Sequence, residues 1–167
     1  MNLSIFSGTV PDEWKHARVS PVFKKGAKGD PNNYRPISVL PVVSKLVERV
    51  VFKQLYGYLN YNNLLTESQS GFRPMFSTET SLLGETNEWI KNIDKSLLNG
   101  IIFLDLKGAF ETMDHSILFR KLEPYGVRSQ TLAWFKSYLT GRKQKTLVDD
   151  EVSHFCTLTC GIPDVNK

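Results

Sequence analysis

Ile101-Ile102-Phe103-Leu104-Asp105-Leu106-Lys107-Gly108-Ala109-Phe110 is the stretch around which the sequence is organised. Four apolar residues run into one aspartate, and the pair Ala109-Phe110 follows four and five positions later. A short continuous apolar run reads as a strand buried on both faces. The pattern predicts a central strand with the Asp105 carboxylate at its end, where such a sheet usually opens onto a cleft. Gly108 and Ala109 would admit a ligand or a neighbouring backbone, and Phe110 would supply a flat wall. A turn or cap aspartate after an ordinary strand has the same local pattern, so the flanking stretches decide.

Downstream, Asp114 is placed to cap a short helix running to Leu122, with Gly126 closing the connection. Ser129 to Leu139 reads as a further helix ending at Gly141. Its Leu132, Phe135 and Leu139 make an inward stripe, with Trp134 and Tyr138 as packing residues. Lys143–Val148 and Val152–Cys160 alternate like two strands joined at Asp149-Asp150-Glu151, where acidic residues make a good turn.

Upstream, Ser77 or Thr78 can cap a helix to about Ile93, with Leu82, Leu83, Trp89, Ile90 and Ile93 as its buried face. Gln69-Ser70-Gly71-Phe72-Arg73-Pro74 is a loop, preceded by a polar connection from Asn60. Pro41 to Leu59 is the clearest helix: Val42, Val43, Leu46, Val47, Val50, Val51 and Leu55 share one apolar face, and Pro41 suits the first turn. Ala17–Phe23 reads as a strand that Pro21 confines to an edge or a strand end. Lys24 to Asn33 is a loop rich in Gly, Pro, Asn and charge, and Tyr34–Leu40 is extended. Together they form a hairpin with a lysine-bearing tip and Arg35 just inside its second strand. Such a tip suits a triphosphate or a nucleic-acid backbone, since ammonium groups act as point charges and guanidinium as a two-pronged donor. A tip that is basic merely for solubility fits equally well.

The 167 residues, 41% of them hydrophobic, can bury a core of one domain or slightly more. The first residues lack the basic lead and apolar run of a signal peptide, and no stretch approaches the ~20 apolar residues of a membrane span. The expectation is an intracellular chain with no membrane partner. Cys156 and Cys160, four apart in an extended segment, would lie roughly 13 Å apart, too far for a disulfide. His16, His115 and His154 show no metal-pair spacing. The net charge of +4 is polarised: residues 14–53 carry nine Lys/Arg against Asp30 and Glu48, whereas the remainder carries twelve basic and fifteen acidic residues. A basic end beside a neutral-to-acidic remainder suits a polyanion-binding lobe next to a metal-binding carboxylate.

The ordered series Val22-Phe23-Lys24-Lys25-Gly26, Asn33-Tyr34-Arg35-Pro36-Ile37-Ser38, Gln69-Ser70-Gly71-Phe72-Arg73-Pro74, Phe103-Leu104-Asp105-Leu106-Lys107-Gly108-Ala109-Phe110 and Asp114-His115 resembles the reverse transcriptase domain of non-LTR, LINE-like retrotransposons. Trp134-Phe135-Lys136-Ser137-Tyr138-Leu139, Arg142-Lys143-Gln144 and Gly161-Ile162-Pro163 continue the likeness. The resemblance implies an α+β polymerase right hand, with fingers over residues 1–99 and an incomplete palm over 100–167. It implies that Asp105 is catalytic and that its carboxylate and the Leu106 carbonyl ligate Mg²⁺. Arg35, with Lys24 or Lys25, would hold the incoming dNTP, and Phe110 would crowd a ribose 2′ hydroxyl. Arg73 would touch template backbone or support the fold. RNA template and DNA primer are the implied partners; oligomeric state is left open.

Three departures stand beside the likeness. Lys107-Gly108 and Glu111 replace the usual Ser-Lys and Asp, and Gly161-Ile162-Pro163 runs into Asp164-Val165-Asn166-Lys167 instead of Gln-Gly-Ser. The family's later aromatic-Ala-Asp-Asp hairpin, which completes the metal site, is not among these residues. Val148-Asp149-Asp150 is no substitute, because it precedes the Gly-x-Pro segment. The expectation is a polymerase fragment inactive by itself; the alternative is a non-catalytic nucleic-acid-binding remnant or a functionless one.

Overall fold

Strand β1 (His16–Phe23) alternates as a half-buried strand should: Ala17 and Val19 are 7% and 4% exposed, while Arg18 between them faces out. In this computed structural model, which describes residues 2–106 and 108–163, β1 is an interior strand of the sheet. On one side it pairs antiparallel with β2 (Tyr34–Val39), from Arg18↔Val39 to Phe23↔Tyr34. On the other it pairs parallel with β3 (Lys143–Val148), from His16↔Lys143 to Val19↔Thr146. Pro21 lies two residues beyond Val19, where β1 is paired on the β2 side only. The missing N–H is thus tolerated for the reason the sequence predicts.

β3 turns back through Asp149 and Asp150, whose φ angles of 45° and 67° are those of a two-residue hairpin turn. The returning chain forms β4 (Glu151–Val152) and β5 (Cys156–Thr157), both antiparallel to β3. Between the pairs Leu147↔Val152 and Gln144↔Cys156 there are three steps on β3 and four on the return, so one extra residue is bulged out. The long strand expected over 152–160 is therefore broken into two short ones. Ser153 fills the gap: its Oγ accepts from Thr146 N at 2.9 Å.

The helices are α1 (Asn2–Ser7), α2 (Val42–Tyr61), α3 (Thr78–Asp94), α4 (His115–Leu122) and α5 (Ser129–Leu139). The chain divides into two compact units, one from residues 1–56 with 107–167 and the other from 57–106. The mixed helix-and-sheet character is as expected. No helix among the described residues is long and apolar enough to cross a membrane.

The core of the first unit is built round Trp134, 3% exposed, against Val10 and Val47, with Ile5, Trp14, Val51 and Tyr138 packed beside them. The Trp134 ring stacks on Tyr138 at 5.2 Å, and its Nε1 donates to Ser4 Oγ at 3.1 Å. A half-buried polar link ties α5 to α2: the Tyr138 hydroxyl donates to Glu48 Oε1 at 2.7 Å. Burial first, and the Glu48 carboxylate second, push the Tyr138 hydroxyl far above its usual pKa, so it stays a neutral donor. Arg142, 2% exposed, closes the end of α5 by donating to Tyr138 O at 3.1 Å.

Three further sequence expectations are corrected. On α2 only Val47 of the apolar stripe is fully buried; Val42, Val43 and Leu46 are exposed, because the line facing the core runs through Ser44, Val47, Glu48 and Val51. On α3, Leu82, Leu83, Ile90 and Ile93 are exposed and Trp89 half-buried, since nothing within the second unit covers that face. Residues 101–106 form no strand, and Ile102, Phe103 and Leu104 are 84–88% exposed. A strand exists only where neighbours complete its hydrogen bonds, and within the second unit none lies alongside this run.

Trp134→Ala removes the centre of the core and is expected to cost about 3–5 kcal/mol, read as a lower urea midpoint at an unchanged slope. A loss below about 1 kcal/mol would show that the core does not depend on this ring.

Candidate active site

The hairpin loop between β1 and β2 is a built structure. Lys24 N donates to Asn33 O at 2.8 Å, continuing the ladder past Phe23↔Tyr34. Asp30 caps the 3-10 turn Pro31–Asn33, accepting from Asn32 N at 2.9 Å. Asn33 Nδ2 donates to Ala27 O at 2.9 Å and the Tyr34 hydroxyl to Lys28 O at 2.8 Å. Gly26 has φ +99°, and a Cβ there would meet Asn33 Nδ2 at 2.7 Å, so glycine is required. The loop holds Lys24 and Lys25 exposed, and Arg35, opposite Val22 on β2, is exposed as well. None of the three forms an ion pair among the described residues.

Arg73 lies in the second unit and is engaged by its own loop: Nη1 donates to Thr66 O at 2.9 Å and Gln69 O at 3.2 Å, and the guanidinium lies 4.3 Å from the Phe76 ring centre. Ser77 then caps α3 through a reciprocal pair with Thr80. Asp105 and Leu106 belong to the same unit and are exposed in the irregular run 101–106. Among the described residues no three His, Cys, Asp or Glu side chains gather where a metal ion could be held. Hard divalent cations want several oxygens, and one exposed carboxylate with one neighbouring carbonyl does not fit an Mg²⁺ cage.

Phe110 sits in a tight turn in the first unit. Glu111 N and Thr112 N both reach Gly108 O at 3.0 Å, and Gly108 has φ +62°. This turn is zipped to the Gly161-Ile162-Pro163 segment, a junction not foreseen from sequence spacing. Ile162 N donates to Phe110 O and Gly161 N to Met113 O, each at 2.8 Å, and His115 Nε2 lies 2.6 Å from Gly161 O. Asp114 caps α4, accepting from Ser116 N at 2.7 Å and Ile117 N at 3.2 Å. The Ser116 hydroxyl, and then these amides, hold the Asp114 carboxyl below the usual aspartate range.

The sequence matches the family described as reverse transcriptase (RNA-dependent DNA polymerase) over residues 22–163. The chain belongs to that family. Its relatives are polymerases of non-LTR elements, as the ordered motifs imply. It is 29% identical over 160 residues to a probable RNA-directed DNA polymerase from transposon BS of Drosophila melanogaster, covering 92% of this chain and 17% of the relative. It is 28% identical over 154 residues to the probable RNA-directed DNA polymerase from transposon X-element of the same fly, covering 92% and 17%. A retrovirus-related Pol polyprotein from the type-1 retrotransposable element R2 of Popillia japonica is 28% identical over 142 residues, covering 84% and 19%. The chain thus spans less than a fifth of the length of these curated relatives.

Two outcomes are expected from this reverse transcriptase segment. Gly161 has φ +81°, and a Cβ would lie 2.7 Å from Glu111 O. Gly161→Ala should therefore cost about 1–3 kcal/mol in a denaturation curve; an unchanged midpoint would refute the zipped junction. For Asp114, a lowered folded pKa means its stabilisation is complete above the unfolded value of 3.8 and is lost as pH falls below it. Asp114→Asn, which keeps the cap but cannot titrate, should flatten the acid limb of stability below pH 4. An acid limb identical to the parent's would show that this carboxylate does not contribute.

Proposed function

We propose that this chain supplies the fingers (1–99) and the opening of the palm (100–167) of a polymerase right hand in a non-LTR retrotransposon reverse transcriptase. The division follows the motifs. The observation that carries the reading is the ordered hairpin loop, which presents Lys24, Lys25 and Arg35 to solvent without acidic partners. In this reading they receive the triphosphate of a dNTP and the nearby template backbone, the ammonium groups as mobile charges and Arg35 as a bidentate donor. Phe110, pinned by its turn, stands against the sugar and excludes a 2′ hydroxyl. Arg73 acts through the shape of its loop, because its guanidinium is committed to carbonyls of that loop.

Asp105 and the Leu106 carbonyl would offer only two of the several oxygens that a two-Mg²⁺ site requires, too few to hold the ions by themselves. The 167-residue chain alone therefore binds polynucleotide without polymerising. With an RNA template, a DNA primer, Mg²⁺ and dNTPs, no extension product is expected. Robust extension that vanishes in Asp105→Ala would overturn the incomplete-site reading. RNA binding should weaken steeply with salt, and Lys24→Gln/Lys25→Gln/Arg35→Gln should shallow the log–log salt slope by about 2. Binding insensitive to salt would remove the hairpin from the interface.

A further inference from the structure

We infer that the exposed face of α2 on one copy of this chain docks on the exposed face of α3 on a second copy, a cationic and apolar helix against an acidic and apolar one. Neither face is used by the polymerase reading proposed above. On α2, Lys45, Arg49 and Lys53 recur every four residues along one side, and Val42, Leu46 and Phe52 lie three or four places from them. All six are exposed, and none of the three cations forms an ion pair among the described residues. Glu48, the one acidic residue of this helix, is turned to Tyr138 on α5. On α3, Leu82, Leu83, Ile90 and Ile93 share a face, and each is more than half exposed. Glu79, Glu85 and Asp94 border that face, each three or four places from one of its residues. Lys91, the one cation of α3, points the opposite way and is paired with Glu88 at 3.6 Å.

Charge complementarity names the occupant. A solvated helix face ordinarily mixes both signs of charge among few apolar groups. Here each face is of one sign, and the signs are opposite: cations without an anion on α2, carboxylates without a cation on α3. A contiguous row of exposed apolar side chains rimmed by polar groups marks an interaction surface, and both faces have one. Two α2 faces would repel, and so would two α3 faces, so the pairing that charge permits is α2 on α3. Every copy carries both halves, and no further partner is required. The helices are 20 and 17 residues long, enough for ridges to seat in grooves over several turns. Once docked, the stems of Lys45, Arg49 and Lys53 cover apolar surface while their heads reach the carboxylates at the rim. The contact is heterologous, so it closes into a pair or ring or runs on as a chain according to its rotation. One helix on another makes a small interface, and the association expected is transient, in the micromolar range.

The test is sedimentation velocity of the full 167-residue chain over a concentration series. The parent should associate, and raising salt from about 0.05 to about 0.5 M should weaken the association about tenfold, because exposed charges become screened. Lys45→Glu/Lys53→Glu and Glu85→Lys/Asp94→Lys should each stay monomeric, since like charges then meet. An equimolar mixture of these two variants should associate about as tightly as the parent, because each reversed face finds its complement on the other variant. Leu82→Gln/Ile90→Gln should weaken association and leave its salt dependence unchanged. All six substituted positions are exposed, so melting temperatures should match the parent's, which separates lost docking from lost folding. A parent that is monomeric at every concentration overturns the inference. So does a parent whose association both reversal variants reproduce, which assigns the contact to indiscriminate burial of other apolar residues such as the run 101–106. A monomeric parent whose RNA binding is weakened by Lys45→Glu/Lys53→Glu overturns it in favour of a polyanion on α2. The hairpin reading survives every one of these outcomes.

Discussion

Everything in the first unit depends on β1 being held from both sides. Its first four residues pair with β3, 127 positions further along the chain, and its remainder pairs with β2. Such a long-range parallel pairing is entropically costly to form and survives only because the alternate side chains are buried together. Ala17 and Val19 supply that burial, while α5 is locked in the same unit by Trp134 and the Tyr138–Glu48 bond. The same alternation leaves the intervening positions, His16 and Arg18, on the open face. One strand thereby creates core and basic surface together.

Much of this architecture was legible in the sequence, and the misses share one cause. Features that residues settle locally were readable: the Ser77 and Asp114 caps, the Asp149-Asp150 turn, the limits of α5, the hairpin with its Pro21 restriction. The run 101–106 was misread because a β-forming composition states what a segment can do, whereas a strand also needs a partner. The exposed apolar faces of α2 and α3 were misjudged likewise, since periodicity identifies a face and says nothing about what covers it. At the site, the cationic hairpin was legible from its punctuation. The junction between the Phe110 turn and Gly161-Ile162 was not, because it depends on hydrogen bonds between distant segments.

The two units differ in how complete their chemistry is. The first places its basic groups on regular structure, with caps and a required glycine fixing their positions. The second carries Asp105 on an exposed irregular run, and among the described residues no cluster of metal ligands forms. Family membership establishes descent from a polymerase of mobile elements.

Hydrogen exchange read by mass spectrometry on the intact chain probes this division most directly. Amides of residues 16–19 and 143–146 should be the slowest to exchange, needing near-global unfolding, while those of 101–106 should exchange close to the unstructured rate. Protection of 101–106 matching that of β1 would mean that the aspartate-bearing segment is already a paired strand, contradicting the division between a formed basic sheet and an unpaired Asp105 segment.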